Sequence, residues 1–281
     1  MKTTSAVSDL TCPNHSSSRY PKWRANTMTI LLGCVLSAGF MQNSHADVIA
    51  DIAKSGTVKI GVFEDYPPFG SMNASMEAVG YDIDMAALIG KGLKAKVVLV
   101  PVTGDNRMAY LAAHKVDLLL SVGETPERDK VIDFSAPYAP YFLAVFGPKK
   151  VKITDPADLA NRSIAVSRGT LEDLTISKVA PDTATIKRFD DSNGAISAFL
   201  SGQVDVLVTG NDVGATIMAR HPSIDPVEKF PLFSSPDRVG MNKDEANLKA
   251  AVNKIIAQAK QDGSLNAISK QWLLAPLPKG F

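Results

Sequence analysis

Cysteine and histidine are scarce in this chain. Its 281 residues hold two cysteines, Cys12 and Cys34, both in the first 46 positions, and four histidines, of which only His114 and His221 lie beyond them. If those 46 residues are a removable leader, the rest has no thiol, and disulfide staples, thiol catalysis and cysteine–metal sites disappear with it. His114 sits in a polar turn before a strand and His221 precedes Pro222, so both read as exposed rather than catalytic or metal-binding. The sequence carries no Ser-His-Asp set, Walker loop or zinc-ligand spacing. No apolar run reaches roughly 18 residues, which excludes a helical integral membrane protein. A surplus of one charge is also missing. The first 46 residues carry four basic side chains (Lys2, Arg19, Lys22, Arg24) and one acid (Asp9); taking them from the 30 basic and 29 acidic residues of the whole leaves 26 and 28, a net of −2. With no basic stripe, nucleic acid is not an expected partner. Hydrophobic residues make up 45%, so wholesale disorder is excluded. The 235 residues left of 281 after those 46 can bury large apolar cores, as one domain or as two lobes of about 100 residues each.

Met28 to Phe40 (MTILLGCVLSAGF) is an apolar stretch of 13 residues, preceded by Arg19, Lys22 and Arg24. It is too short to span a bilayer and suits the apolar core of a secretory signal. Ser44-His45-Ala46 supplies small residues at a cleavage site, which places the cut before Asp47. Leu31-Leu32-Gly33-Cys34 loosely resembles a lipid-attachment box, but Leu32 is bulky for its position and few apolar residues precede Cys34. An exported, periplasmic protein is expected.

Strands and helices then alternate. Thr57–Phe63, Val97–Val100, Val116–Leu120 and Tyr141–Phe146 read as strands, the last stopped by Gly147-Pro148, with helical spacing over Asp84–Leu93 and Asn106–Ala113. The pattern restarts with strands at Ser163–Val166, Thr185–Phe189 and Val204–Thr209 and helices at Leu171–Val179 and Asn193–Ser201. Glu245–Leu273 carries helical periodicity. Such alternation implies an α/β protein with mostly parallel sheets covered on both faces. One echo stands out: Tyr110 to Leu120 (YLAAHKVDLLL) parallels Ala198 to Val208 (AFLSGQVDVLV), 88 residues apart. Two similar α/β lobes facing each other explain it. Ser121 and Thr209 then end matching strands, and ligands of open α/β sheets bind beyond such strand ends, so both should face a cleft between the lobes.

Three segments carry candidate chemistry. Glu64-Asp65-Tyr66-Pro67-Pro68-Phe69 follows the first strand; Tyr66 reads as a ligand contact and Phe69 as core. In Ser121-Val122-Gly123-Glu124-Thr125-Pro126-Glu127-Arg128, Thr125 and Pro126 suit a helix start, and Arg128 can grip a carboxylate with two parallel N–H bonds. In Ser167-Arg168-Gly169-Thr170-Leu171-Glu172, glycine between a strand and a helix allows a sharp turn and leaves amides of the helix start free for an anion.

These segments, with G-Y-D-I-D-M-A, I-D-F-S-A-P-Y, D-L-A-x-R-S-I-A-V-x-x-G-T and D-G-S-L-N-x-I-S-K-Q-W (Asp262 to Trp272), stand in an order that resembles the extracytoplasmic solute-binding proteins of ABC importers, polar amino acid branch, family 3. The resemblance runs from about Ala46 to the C terminus. It implies a two-lobed, periplasmic-binding-protein-like fold of type II, crossed twice by the chain, near Phe146–Lys149 and Pro236–Met241. The expected divisions are a signal peptide over 1–46, the first lobe over 47–146, the second over 147–238, and helices returned to the first lobe over 239–281. The resemblance further implies that Tyr66 stacks on the ligand, that Arg128 holds its α-carboxylate, and that amides around Gly123 and Thr170–Leu171 complete the anion site. The Ser121 carbonyl would take the ammonium, and Glu172 would contact the ligand's side chain. A small, amino-acid-like ligand, a membrane permease partner and a monomer are implied, with no cofactor and no metal.

Two departures matter. The family usually has a threonine or serine at Gly123 and often an aspartate for the ammonium at Gly210. A buried ammonium without partners costs several kcal/mol. Asp212, Glu64, Asp65 and Glu172 are the candidate replacements, or the ligand is not a standard α-amino acid. A second reading follows from the resemblance to cyclohexadienyl dehydratases, which share the fold and use a glutamate placed like Glu172 as general acid. A third, a ligand-sensing ectodomain, lacks the membrane span and signalling domain it would need.

Overall fold

A computed structural model describes residues 47–221 and 225–281. The expected leader with its cleavage site, and Cys34, lie outside the described residues. Among those described, no helix is long and apolar enough to cross a membrane.

Asp47 caps helix α1 (Val48–Ser55) by accepting from the Ile49 N–H, and Gly56, at φ 68°, ends it and turns the chain into β1 (Thr57–Val62). Short strands β2 (Asp65–Tyr66), β3 (Gly70–Met72) and β4 (Ala78–Val79) form a small antiparallel sheet. Next come α2 (Tyr81–Leu93), β5 (Lys96–Pro101), α3 (Arg107–Ala112), β6 (Leu118–Val122), α4 (Pro126–Asp129) and β7 (Ile132–Phe134). The chain then builds β8 (Phe142–Pro148), β9 (Ser163–Ser167), α5 (Leu171–Val179), β10 (Thr185–Phe189), α6 (Ser192–Leu200), β11 (Val206–Gly210), α7 (Asn211–Arg220) and β12 (Pro226–Ser234). It returns through β13 (Arg238–Asn242) to α8 (Ala246–Gln261) and α9 (Ser264–Trp272).

The strands sort into two five-stranded sheets, ordered β5-β1-β6-β13-β7 and β10-β9-β11-β8-β12. In each, three parallel strands are joined by antiparallel partners. The lobes are therefore built alike, and the helices after β13 pack on the first, with α8 and α9 against α2. The echoed Val-Asp pairs have matching jobs. Asp117 accepts the Lys59 N–H at 2.8 Å, and Asp205 accepts the Ser163 N–H at 2.7 Å. Each aspartate ties the strand it precedes to the neighbouring parallel strand, so the same dipeptide does the same job in both sheets.

The first crossing comes earlier than the sequence suggested. Tyr141–Phe146 reads as a strand ending at Gly147-Pro148, with the crossing at Phe146–Lys149, yet β8 continues through Pro148 and pairs along its length with β11 or β12. Pro148 closes the strand against Pro226, where its missing N–H costs nothing. The chain thus leaves the first sheet between Phe134 and Phe142 and re-enters it between Ser234 and Arg238. The two crossing segments pair with each other: the Asp237 N–H bonds the Ala139 carbonyl, and the Tyr138 N–H bonds the Asp237 carbonyl, both at 2.9 Å.

Candidate functional site

The carboxyl ends of β1, β6 and β9 face a cavity between the lobes. Tyr66, Arg107, Ser121 and Asp237 line it from the first lobe and the crossings, and Thr170, Leu171 and Glu172 from the second. The free volume is only about 20 Å³, room for a single water. Side chains meeting across the gap fill the rest.

The Tyr66 hydroxyl is the hub of that meeting. It donates to Glu172 Oε1 at 2.7 Å, lies 2.5 Å from the Tyr141 hydroxyl and accepts the Gly210 N–H at 3.0 Å. Tyr141 donates to the same Glu172 oxygen at 2.5 Å. Phe69 is fully buried beneath Tyr66, with ring centroids 6.2 Å apart. One residue upstream, Asp65 accepts the Ser192 N–H at the start of α6, so a first-lobe carboxylate closes a second-lobe helix.

Ser121, one residue before the end of β6, takes φ 50°, a left-handed conformation that costs a non-glycine residue free energy. Three bonds hold it there. Its N–H donates to the Tyr138 hydroxyl at 2.8 Å, its hydroxyl to Asp82 Oδ2 at 2.6 Å, and its carbonyl accepts from Arg107 Nη1 at 2.8 Å. That carbonyl, on which the resemblance set the ammonium, is thus engaged by a guanidinium. Asp82 is fully buried, and burial raises its carboxyl to about 6 despite bonds from Ser121 and Tyr138.

Two arginines converge here. Arg128, on α4 behind its Thr125 cap, is buried and donates to the Gly123 carbonyl at 3.0 Å. Burial brings its guanidinium down to about 9, and the positive charge of Arg107 adds to the fall. Arg107, at the start of α3, lies 5.0 Å over the Phe63 ring and is 3% exposed. Burial also lowers its guanidinium, and its Nε has no hydrogen-bond partner. Among the described residues, neither arginine makes an ion pair with a carboxylate. Sequence reasoning passed over Arg107 because Asn106–Ala113 showed only an ordinary helical pattern. The available signal was a basic residue in the first turn of a helix, where a positive charge opposes the dipole.

The lobes come together backbone to backbone at Gly104 and Gly169. A Cβ on Gly104 would sit 2.5 Å from the Arg168 carbonyl oxygen, and Gly169 takes φ 71° beside it. The two departures at Gly123 and Gly210 also find a cause. A Cβ at Gly123 would lie 2.5 Å from a Leu171 methyl, and one at Gly210 would lie 2.3 Å from the Tyr141 ring. Leu171 and Tyr141 occupy the space that side chains there would need.

Thr170 caps α5, donates to the Ser167 carbonyl at 2.8 Å and lines the cavity together with Leu171 and Glu172. Asp212 does not. It lies on a separate groove of about 290 Å³ with Pro67, Pro68 and Trp272, its Oδ2 lacks a partner, and burial raises its carboxyl to about 6. The reason is rotational: Asp212 sits two residues past the strand end, inside α7, and helical twist carries it to the other side. His114 is exposed, whereas His221 is half-buried at the end of α7.

Residues 58–275 match the model of the bacterial extracellular solute-binding proteins, family 3. The chain belongs to this family. It is 28% identical over 220 residues to ABC transporter arginine-binding protein 1 of Escherichia coli (strain K12), covering 76% of this chain and 90% of that protein. The solute receptor for L-cysteine of Neisseria gonorrhoeae is similar in structure, with a TM-score of 0.75, 30% identity and coverage of 83% of this chain and 96% of the other. So is AncCDT-1, an ancestral amino acid-binding protein described as a precursor of cyclohexadienyl dehydratase, with a TM-score of 0.73, 29% identity and coverage of 80% and 99%. Family 3 solute-binding proteins share the two-lobed architecture found here, and the family is one of binding proteins rather than enzymes.

Proposed function

We propose that this protein captures a small amino-acid-like solute between its lobes and delivers it to the permease of an ABC importer. One observation carries the reading: Arg107 lines the inter-lobe cavity, Arg128 is buried near enough for the charge of Arg107 to lower its own, and among the described residues neither has a carboxylate as an ion-pair partner. A buried pair of guanidiniums is costly unless an anion arrives. A solute carboxylate is such an anion, and Arg128 with the amides at Gly123, Thr170 and Leu171 forms its seat. Relatives named for arginine and cystine binding support the ligand class.

Entry requires movement, because about 20 Å³ holds no amino acid. The clasp of Tyr66, Tyr141 and Glu172 opens, the two crossings act as hinges, and the solute adds contacts to the second lobe as the lobes return. Micromolar affinity asks for roughly 8 kcal/mol, within reach of a buried arginine–carboxylate pair and stacking on Tyr66. The protein acts as an exported, periplasmic monomer, and its closed form docks on the permease.

The dehydratase reading of Glu172 fits less well. A general acid must donate a proton to its substrate, whereas Glu172 Oε1 accepts from two phenols. A thermal-shift screen against amino acids, polyamines and organic acids, run beside assays of prephenate and arogenate turnover, tests the proposal. Stabilisation by an amino acid with no product formed is expected. Turnover, or no response to any amino acid, overturns it.

A further inference from the structure

We infer that Asp237, on the second crossing between the lobes, is the acceptor for the solute's ammonium group, taking over from the aspartate missing at Gly210. The inference rests on the reading of the cavity as an amino-acid site.

Asp237 is 2% exposed, lines the cavity, and holds an Oδ2 with no hydrogen-bond partner. Its backbone is fixed by paired bonds to Tyr138 and Ala139, so the carboxyl is held in place at the junction of the lobes. Arg107 lines the same cavity with an unpartnered Nε, and the two side chains influence each other's charge without forming an ion pair. A carboxyl oxygen and a guanidinium nitrogen, each without a partner, thus share one small cavity unjoined. A zwitterion carrying a carboxylate beside an ammonium satisfies both at once, and a buried polar atom left unpaired costs free energy until it does.

The other acids are already engaged or placed elsewhere. Asp82 accepts from Ser121 and Tyr138, Glu172 Oε1 from Tyr66 and Tyr141, and Asp65 from Ser192. Asp212 has a free oxygen but faces the separate groove beside Trp272. Tyr141 fills the space beside Gly210, which shuts the usual position. Burial, with the charge of Asp82 next, pushes the Asp237 carboxyl well above the ordinary range, so the unliganded site resists ionising and a cation is rewarded.

Calorimetry on the purified protein and on Asp237→Asn, against the standard L-amino acids and cystine, tests this. Whichever amino acid binds is compared with its desamino counterpart, which carries hydrogen in place of the α-ammonium. Asp237→Asn is expected to weaken the amino acid by about 30-fold or more, to leave the desamino compound within about 3-fold, and to melt no lower than the parent without ligand. Asp237→Glu, which keeps the charge but moves it by one methylene, is expected to fall between. An amino acid held equally well by Asp237→Asn overturns the inference and leaves the amino-acid site standing. A parent protein that binds no amino acid overturns both.

Discussion

The Tyr66 hydroxyl and the Glu172 carboxylate meet at 2.7 Å across the gap between the lobes. The same hydroxyl accepts the Gly210 N–H, so one first-lobe side chain holds the second lobe at a helix start and at a strand end. Tyr66→Phe keeps the ring and removes this hub, leaving a buried N–H unpaired. A loss of about 1–3 kcal/mol in stability is expected from denaturant melts, with weaker solute binding. Unchanged stability would show that the contact contributes nothing.

Arg107 and Arg128 should separate binding from folding. Truncating either to alanine is expected to weaken the solute by at least about 2 kcal/mol, while the unliganded stability changes by less, because removing a buried charge offsets the loss of its bond to the Ser121 or Gly123 carbonyl. An unchanged dissociation constant in calorimetry would remove that arginine from the anion seat.

The glycine at 210 is a packing requirement. Adding a methyl group puts a carbon 2.3 Å from the Tyr141 ring. Gly210→Ala should cost about 1–3 kcal/mol, and less in a Tyr141→Ala background, where the ring is gone. Equal costs in both backgrounds would contradict a clash with Tyr141.

Asp212 gives a pH signature. Its carboxyl rises from an ordinary 3.8 to about 6 in the folded protein. Below 3.8 both folded and unfolded chains are protonated there and no penalty arises. As pH climbs toward 6, only the unfolded chain ionises, so stability falls through that window and stays lower above it. Asp212→Asn should therefore stabilise the protein at neutral pH by up to ~3 kcal/mol, with the gain fading toward pH 4. Solute binding should persist, since Asp212 lies outside the cavity. A gain independent of pH would contradict the burial argument.

Much of the architecture was legible because periodicity reports burial. Leu171–Val179 and Thr185–Phe189 match the observed α5 and β10, and the Val-Asp echo marks equivalent strands. The first crossing was misplaced because Gly147-Pro148 looks like a stop, while pairing to β12 tolerates both residues at the strand's end. The strand β12 itself was unread: Pro226 and Pro231 mask its pattern, and it survives as an edge strand, where proline is admissible. Within the site, Tyr66 follows the first strand, Thr170, Leu171 and Glu172 form the cap and first turn of α5, and these segments show their chemistry in the sequence. Arg107 and Asp237 do not. A lone arginine on a helix and an aspartate after a proline look solvated until tertiary packing buries them.

The central claim is that buried guanidiniums between the lobes grip a carboxylate. The most direct measurement is a thermal-shift comparison of the amino acid that binds with its own α-carboxamide, which keeps the ammonium and side chain but carries no negative charge. At about 100 times its dissociation constant the acid should add about 2.7 kcal/mol, and the carboxamide should add almost nothing. Equal stabilisation by both would contradict the account.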